Sequence, residues 1–366
     1  MIDRRLLTNV DWVLLGLVLT ITAIGIANIH SAVIPYKQVG TSYEIKQIYW
    51  LTAALLLVTV VCSIDYHILE DVSYWFYGFV VLLLVVVLLF GRTSMGATRW
   101  LHLGFFNVQP SEPMKLVIII TFASFFSRRS YADGIGLADL WGPLLLLGLP
   151  AALVMKQPDL GTAIMIILVA ASIMFYVGLR WQTILPVAGA LVPLIYFGWH
   201  YGLREYQKNR VLNFLDPERD PLGSGYHLIQ SKIAVGSGGI IGKGYTHGTQ
   251  TQLRFLPEQH TDFAFSVFAE EWGFAGCLVL LLLYLFLIMW GLQIANRCSD
   301  RFGSILAVGV TAMLFWHVVI NIGMVIGLFP VVGVPLPFFS YGGTSMVTSM
   351  LGIGMLLNIR MRRFMF

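Results

Sequence analysis

Long apolar stretches alternate with short polar segments along most of the chain. Stretches such as Gly78–Phe90 and Leu278–Trp290 are apolar on every face, and with their flanks they approach the roughly 20 residues that a helix needs to cross a bilayer. The pattern predicts an all-α, polytopic membrane protein that forms one domain over residues 1–366. About ten membrane-spanning helices are expected, at 11–31, 45–64, 72–90, 111–127, 139–156, 160–178, 181–200, 264–295, 304–328 and 343–360.

The charged residues between these helices predict the orientation of the chain. An even number of helices places both termini on the same side of the membrane. The connections on that side carry most of the arginines, among them Arg128, Arg180 and Arg301, whereas the short connections on the other side carry few. Because positively charged loops favour the cytoplasm, both termini are predicted to be cytoplasmic. The long connection between the seventh and eighth helices, residues 201–262, is then extracytoplasmic.

Composition supports a membrane protein and excludes other classes. The chain is 57% hydrophobic and 11% charged, against about 25% charged residues in ordinary soluble domains. Its net charge is +4, and no basic run is interleaved with aromatic residues, so nucleic acid is not an expected partner. The three cysteines, Cys62, Cys277 and Cys298, have neither metal-ligand nor disulfide spacing.

The seventh connection is unusually long for a tightly connected bundle. It contains a turn-rich stretch at Asp216–His227 and a glycine-rich stretch at Gly236–Gly244, and residues 226–235 have the pattern of an amphipathic helix. A connection of this length is either disordered or functional. The mixture of turns and a helix indicates an ordered loop that folds over the membrane surface.

Several polar residues are predicted inside or beside the apolar helices. Glu112 and Lys115 are three residues apart and share a helix face, so they either neutralise each other or bind an ionic substrate. Asp159 is well placed to cap the helix that follows it. Lys115 and Asp159 both belong to the outer half of the bundle, where they are expected to meet. His317 and Asn321 are expected to hydrogen-bond between helices.

Two further segments combine polar residues with signs of irregular backbone. Glu270 and Glu271 are interpreted either as a structural pair bound to a lysine or arginine or as catalytic residues. They lie either in a helix that begins at the membrane surface or at a bend before Gly273. The proline- and glycine-rich stretch Pro330–Ser345 cannot form a regular helix. It therefore either lines a cavity or forms a rigid loop.

The stretch Phe255–Phe265 places Asp262 where the long loop meets the eighth helix. A charge at the mouth of a membrane helix is costly unless it is paired or used. Asp262 therefore either caps a helix that begins at Phe263 or does chemical work. The sequence contains no P-loop, no G-x-S-x-G elbow, no HExxH and no paired-cysteine motif, so the common soluble-enzyme mechanisms have no support.

Six stretches between Gly96 and Ser345 carry a resemblance to a known family: GATRWLHLG, VQPSEPMKL, KQPDLGTA, RVLNFLDPERDPLGSGYHLIQSKIAVGSGGIIGKG, GTQTQLRFLPEQHTDFAFSVFAEEWG and PVVGVPLPFFSYGGTS. With them, the sequence resembles the SEDS family (shape, elongation, division and sporulation proteins). VVGVPLPFFSYGG and GTQTQLRFLPE resemble the elongation-type members more than the division-type members. The departures from the family pattern, such as Gln259 before His260 and Thr344 in SYGGTS, are mild.

The resemblance implies a peptidoglycan glycosyltransferase that polymerises lipid II into glycan strands at the outer face of the bacterial cytoplasmic membrane, for cell elongation and rod shape. It also implies a class B penicillin-binding protein as the partner that cross-links the product. The family's catalytic aspartate falls on Asp262, and its cavity lysine and aspartate fall on Lys115 and Asp159. Glu112 and Trp100 lie in the matching stretches and are assigned to substrate binding.

The implied reaction assigns roles to these residues. Asp262 acts as the general base on the C4 hydroxyl of one lipid-linked sugar, which attacks the anomeric carbon of another with inversion. The departing lipid pyrophosphate needs positive charge. The candidates for this charge are Arg210, Lys243, Lys232 and Lys115. The pyrophosphate is also a candidate ligand for Mg²⁺ or Mn²⁺, although the sequence defines no metal ligand set, and no organic cofactor is expected.

Two other functions stay open from the residues alone. A flippase for the same lipid is one, since charged residues among ten membrane helices also mark translocation paths. A non-enzymatic scaffold for a penicillin-binding protein is the other. The carboxylate beside a long outer loop favours chemistry outside the membrane, whereas a flippase needs charged sites that are reachable from both faces.

Overall fold

The computed structural model describes residues 10–35, 42–94, 97–102, 107–129, 131, 134–220, 223–256 and 258–363. Its α-helices are α1 (Trp12–Val33), α2 (Tyr43–Ser63), α3 (His67–Phe90), α4 (Ser111–Ser127), α5 (Trp141–Lys156), α6 (Leu160–Val177), α7 (Trp181–Phe197), α8 (Glu205–Leu215), α9 (Ser224–Ser237), α10 (Thr249–Gln252), α11 (Ala264–Arg297), α12 (Arg301–Ile326) and α13 (Gly343–Arg362). The strands are β1 (Arg92–Ser94), β2 (Ala97–His102) and β3 (Asn107–Val108).

Ten of these helices, α1 to α7 and α11 to α13, coincide with the ten predicted membrane-spanning segments. In the described part of the chain, eight helical segments are long and apolar enough to cross a membrane, so the protein is a multi-pass membrane protein. The two that fall short are α4, which has 17 residues, and α13, which ends in Arg360 and Arg362. Both are buried by neighbouring helices along most of their length, so neither needs an apolar outer face. The orientation of the termini stays a prediction.

A small β-sheet departs from the predicted all-α fold. β1, β2 and β3 form an antiparallel sheet in that order, in which Arg92 pairs with Trp100 and Leu101 pairs with Val108. The stretch is short and contains Thr, Trp and Val, which favour extended backbone. It was missed because its strands are too short to show a period of two. The sheet holds Arg99 and Trp100 just before α4.

The long loop is ordered over its described residues. α9 covers the predicted amphipathic helix at 226–235, which confirms that prediction. The buried Ser231 hydroxyl lies 2.9 Å from the Ser266 hydroxyl and donates to the Val325 carbonyl over 2.7 Å. These contacts fix α9 to the start of α11 and the end of α12.

Two irregular backbone segments occur where the sequence predicts them. Gly273 breaks α11 with φ 64° and ψ −164°, so of the two interpretations of this region the bend is confirmed. The chain between α12 and α13, residues 327–342, is not helical. The second segment forms part of the cavity described next.

Candidate active site

A cavity of about 670 Å³ lies where the N-terminal ends of α4 and α6 approach the segment that joins α12 to α13. Four of the predicted site residues line it, namely Asp262, Lys115, Glu112 and Trp100. The segment after α12 contributes Gly333, Val334 and Pro335, and residues 341–345 complete this wall. Of the two interpretations of the proline- and glycine-rich stretch, the cavity wall is therefore confirmed.

The Asp262 carboxylate has no hydrogen bond or ion pair from the described residues, and it is only partly buried. Desolvation, reinforced by the Glu258 carboxylate, raises the pKa of Asp262 to about 6, although the charges of Arg210 and Arg99 act to lower it. A carboxyl group with this pKa is largely ionised at neutral pH and still basic enough to accept a proton. Its chemistry therefore suits a general base.

Capping does not explain Asp262. α11 begins at Ala264, Phe263 occupies the N-cap position, and no side chain caps this end. The Asp262 main chain is held instead by Asn321, whose side-chain amide donates to the Asp262 carbonyl over 3.0 Å and to the Val334 carbonyl over 2.7 Å. One buried amide thus connects the site aspartate to the adjacent segment that follows α12.

Because Gly333 has no side chain, there is space beside it for the Asp262 carboxylate. Its φ is +69°, a conformation that side chains rarely adopt. A Cβ atom added there would lie 3.1 Å from Oδ2 of Asp262. A side chain at this position would therefore strain the loop and crowd the carboxylate.

Lys115 is buried in a polar network inside the bundle. Its ammonium donates to Oε1 of Glu112 over 2.8 Å and lies 2.8 Å from Nε2 of His317. Nδ1 of His317 lies 2.7 Å from the Met313 carbonyl. This geometry requires a neutral imidazole that donates from Nδ1 and accepts the lysine proton at Nε2. The ion pair of Lys115 with Glu112, one of the two interpretations of these residues, is present, and the interhelical contact of His317 is confirmed. The same expectation for Asn321 is wrong, because its amide donates to two carbonyls outside the helices.

Asp159 has different neighbours from those expected. Its carboxylate caps α6 by accepting from the Thr162 amide, which confirms the capping prediction. It also accepts from Gln109 over 2.9 Å and lies 3.7 Å from the Arg99 guanidinium. The expected meeting of Lys115 and Asp159 is wrong in this structure, because a carboxylate on the same helix face as Lys115 reaches it first.

Two cations line the cavity that were not predicted from the sequence as site residues. Arg99 lines the cavity beside Trp100, and its buried Nε has no partner among the described residues. Lys46, in the first turn of α2, lines it as well. For Arg99 the available signal was its place directly before Trp100 in a matching stretch. Lys46 stands in a polar segment that carries no comparable signal.

The other two predicted substrate-binding cations do not line this cavity. Arg210 donates to the Val331 carbonyl over 3.3 Å, and its charge still acts on Asp262. The Lys243 ammonium is 2.7 Å from Oε1 of the fully buried Glu270. Lys243 and Glu270 therefore form the structural pair that was one of the two interpretations of Glu270.

The described residues contain no cluster of three or more histidine, cysteine, aspartate or glutamate side chains suited to a metal ion. The three cysteines are all free thiols. A divalent cation at this cavity would therefore need most of its ligands from a substrate, for which pyrophosphate oxygens are suitable.

The helices and the cavity define a class, that of polytopic membrane proteins with a cavity lined by charged side chains. The family described as cell cycle proteins (FtsW, RodA and SpoVE) matches residues 11–364. Peptidoglycan glycosyltransferase MrdB of Escherichia coli (strain K12) is 43% identical over 92% of this chain and 91% of its own length. The chain belongs to the FtsW/RodA/SpoVE family.

Solved structures agree with this assignment. A chain from work on the structural coordination of polymerization and crosslinking by a peptidoglycan synthase complex matches with a TM-score of 0.81 at 35% identity, covering 98% of this chain and 99% of that one. The crystal structure of the rod shape determining protein RodA of Thermus thermophilus matches with a TM-score of 0.72 at 30% identity, covering 97% and 98%.

Proposed function

We propose that Asp262 is the general base with which this chain polymerises lipid II into glycan strands. The chain is a peptidoglycan glycosyltransferase of the RodA/MrdB type. The observation that carries the proposal is a carboxylate in the cavity wall that no described residue pairs with, and whose pKa burial raises to about 6.

The base would work on a hydroxyl that is a poor nucleophile on its own. Asp262 accepts the proton of the sugar C4 hydroxyl while that oxygen bonds to the anomeric carbon of a second lipid-linked sugar. The bond from that carbon to the lipid pyrophosphate breaks, and the configuration inverts. Because pyrophosphate leaves as a stable anion, a second carboxylic acid is not required to protonate it, in contrast to most glycosidases.

The charge of the leaving group needs cations close to the reacting carbon. Arg99 and Lys46 line the cavity, and Arg99 has a buried donor that no described residue uses. Lys115 is less free, since it already shares its protons with Glu112 and His317. We assign Arg99 and Lys46 to the pyrophosphate ahead of Lys243. Mg²⁺ or Mn²⁺ stays a prediction, bound chiefly by pyrophosphate oxygens, and no organic cofactor is expected.

The cavity also offers acceptors for sugar hydroxyls. Oε2 of Glu112 is buried without a partner among the described residues, while Oε1 holds Lys115. A buried carboxylate oxygen with no donor is costly unless a ligand supplies one. Glu112 is therefore assigned to a substrate hydroxyl, and Trp100 to the face of a sugar ring.

The setting of this reaction is also a proposal. We place the protein in the bacterial cytoplasmic membrane with both termini inside and the loop at 201–262 outside, and we expect a class B penicillin-binding protein as its partner. The similar synthase complex supports a partner of this kind. Cysteines introduced at Gly223 and at Arg129 should react with an impermeant reagent from opposite sides of the membrane, and labelling from the same side would overturn this orientation.

The base assignment is tested by Asp262→Asn in purified protein reconstituted with lipid II and its partner. Asparagine cannot accept the sugar proton, so polymerisation should fall by about 10²-fold or more, while binding of lipid II and of the partner is retained. The matched control is Glu258→Gln, which neutralises a nearby exposed carboxylate that does not line the cavity. Polymerisation by Asp262→Asn at close to the wild-type rate would end the assignment.

A further inference from the structure

The glycine-rich tip of the long loop exposes two large aliphatic side chains. Ile240 and Ile241 are 74% and 84% exposed, and they occupy a tight turn that follows α9. Two neighbouring isoleucines this exposed on a loop would be costly in water. The residues from Ala234 to Gly242 include no charged side chain.

The main chain of this turn pairs with the break in α11. The amides of Lys243 and Gly244 donate to the carbonyls of Glu270 and Glu271, each over 3.0 Å. In the opposite direction, the amides of residues 274 and 275 donate to the carbonyls of residues 239 and 240 over 2.9 and 3.0 Å. Non-helical backbone is tolerated at membrane depth only when its polar groups are satisfied in this way.

Glycine at two positions permits this close approach. A Cβ atom on Gly238 would lie 2.0 Å from the Ala269 carbonyl oxygen, and one on Gly242 would lie 2.1 Å from that of Glu271. The turn is therefore held at a fixed position along α11, beside Gly273.

The length of α11 beyond Gly273 indicates where the turn lies relative to the bilayer. Beyond Gly273 the helix continues to Arg297, which is 297 − 273 = 24 residues. At 1.5 Å per residue these residues span about 36 Å, enough to cross a hydrocarbon core of about 30 Å without the first turns of α11. The helix beyond Gly273 is therefore long enough by itself to place Gly273, and with it the turn, at the edge of the bilayer on the side of Asp262.

The neighbours of the turn have the composition of a membrane interface. Trp272 is 47% exposed and Phe274 is 64% exposed on either side of the break, and aromatic residues are enriched at this depth. The cation next to the turn in the sequence, Lys243, pairs with Glu270, and residues 238–242 themselves carry no charge.

From these observations we infer that the turn Gly238–Gly242 inserts Ile240 and Ile241 into the outer boundary of the bilayer as a lipid-binding anchor for the long loop. The occupant of this apolar surface is lipid, because the turn is hydrogen-bonded to residues 274 and 275 of α11, where the exposed apolar side chains of that helix begin with Phe274, Leu278 and Val279. The anchor fixes the loop at a set depth close to the start of α11, where Asp262 lies.

The depth of the turn is directly measurable. Ile241→Cys is labelled with an environment-sensitive fluorophore in a chain whose three native cysteines are replaced by alanine, and the protein is reconstituted without a partner in phosphatidylglycerol/phosphatidylethanolamine vesicles. Quenching by a lipid with a nitroxide near the headgroup is compared with quenching by aqueous iodide. The matched controls are Glu218→Cys, exposed in the same loop, and Leu282→Cys, exposed on α11 within the span.

The anchor predicts that the label at 241 is quenched by the nitroxide lipid at least as strongly as the deeper label at 282 and is protected from iodide. Iodide quenching equal to that at 218, with no effect of the nitroxide lipid, would overturn it. Protection that arises only after a penicillin-binding protein is added would show a protein occupant and would equally overturn the lipid assignment. None of these outcomes depends on the catalytic role of Asp262.

Discussion

Asp262 and Glu270 are carboxylates eight residues apart in one segment of chain, and they differ in how many hydrogen-bond donors surround them. Glu270 is fully buried and accepts from Lys243, from the hydroxyls of Thr249 and Thr251, and from two backbone amides. Asp262 lines a cavity without a single side-chain partner from the described residues. A carboxylate that is saturated with donors is available only for structure, whereas one that is desolvated but unpaired is available for a substrate proton. The number of donors around each residue, more than its burial, separates the two roles.

Removing Glu270 should give the largest loss of stability. Glu270→Ala leaves the Lys243 ammonium and several amide and hydroxyl donors without their acceptor, and breaking a buried ion pair costs about 3 to 5 kcal/mol. Thermal unfolding in detergent should show a large decrease in Tm, with a smaller decrease for Glu270→Gln, which keeps one acceptor oxygen. An unchanged Tm for Glu270→Ala would contradict a structural role.

Lys115→Ala should come next, because it leaves the Glu112 carboxylate buried beside a neutral histidine at a cost of about 3 kcal/mol. Combining Lys115→Met with Glu112→Leu removes both charges and should restore the Tm without restoring polymerisation of lipid II. Full activity of the double variant would show that this buried pair serves structure alone, like Lys243 and Glu270.

Asp262→Asn should change stability in the direction opposite to Glu270→Ala. The folded protein raises the pKa of Asp262 to about 6, so the stability this group contributes is complete below its ordinary pKa and is lost as the pH rises through 6. At pH 8 the variant should therefore be more stable than the wild type by up to about 3 kcal/mol. The difference in Tm should vanish near pH 4. A destabilised variant at pH 8 would mean that the carboxylate has a partner after all.

The smallest expected effect is a displacement of the pH profile. A base must be ionised, so the rate of lipid II polymerisation should fall as the pH decreases below about 6. Glu258→Gln removes a negative charge that raises the pKa of Asp262, so the fall should move to lower pH while the rate at pH 8 stays the same. An identical pH profile for both proteins would show that Glu258 does not act on the reactive group.

Local features of the fold were predictable because local rules govern them. The ten helices follow from apolar runs of bilayer length, and the cap at Asp159 follows from an aspartate before an apolar run. The break at Gly273 and the irregular stretch before α13 follow from glycine and proline. The short strands before α4 were not predictable, since a few residues carry too little periodicity.

The partners of the charged residues were decided by the tertiary structure. The sequence by itself determined which residues are ionic and, through helical spacing, that Glu112 can reach Lys115. The sequence did not determine that His317, 202 residues away, contacts Lys115 and completes this network. Nor did it determine that Lys243 pairs with Glu270 and does not line the cavity. The reason is physical: desolvation and hydrogen bonding depend on which helices pack together. Asp262 carries the same side chain as every other aspartate, and only the cavity around it leaves that carboxylate unpaired and its pKa raised.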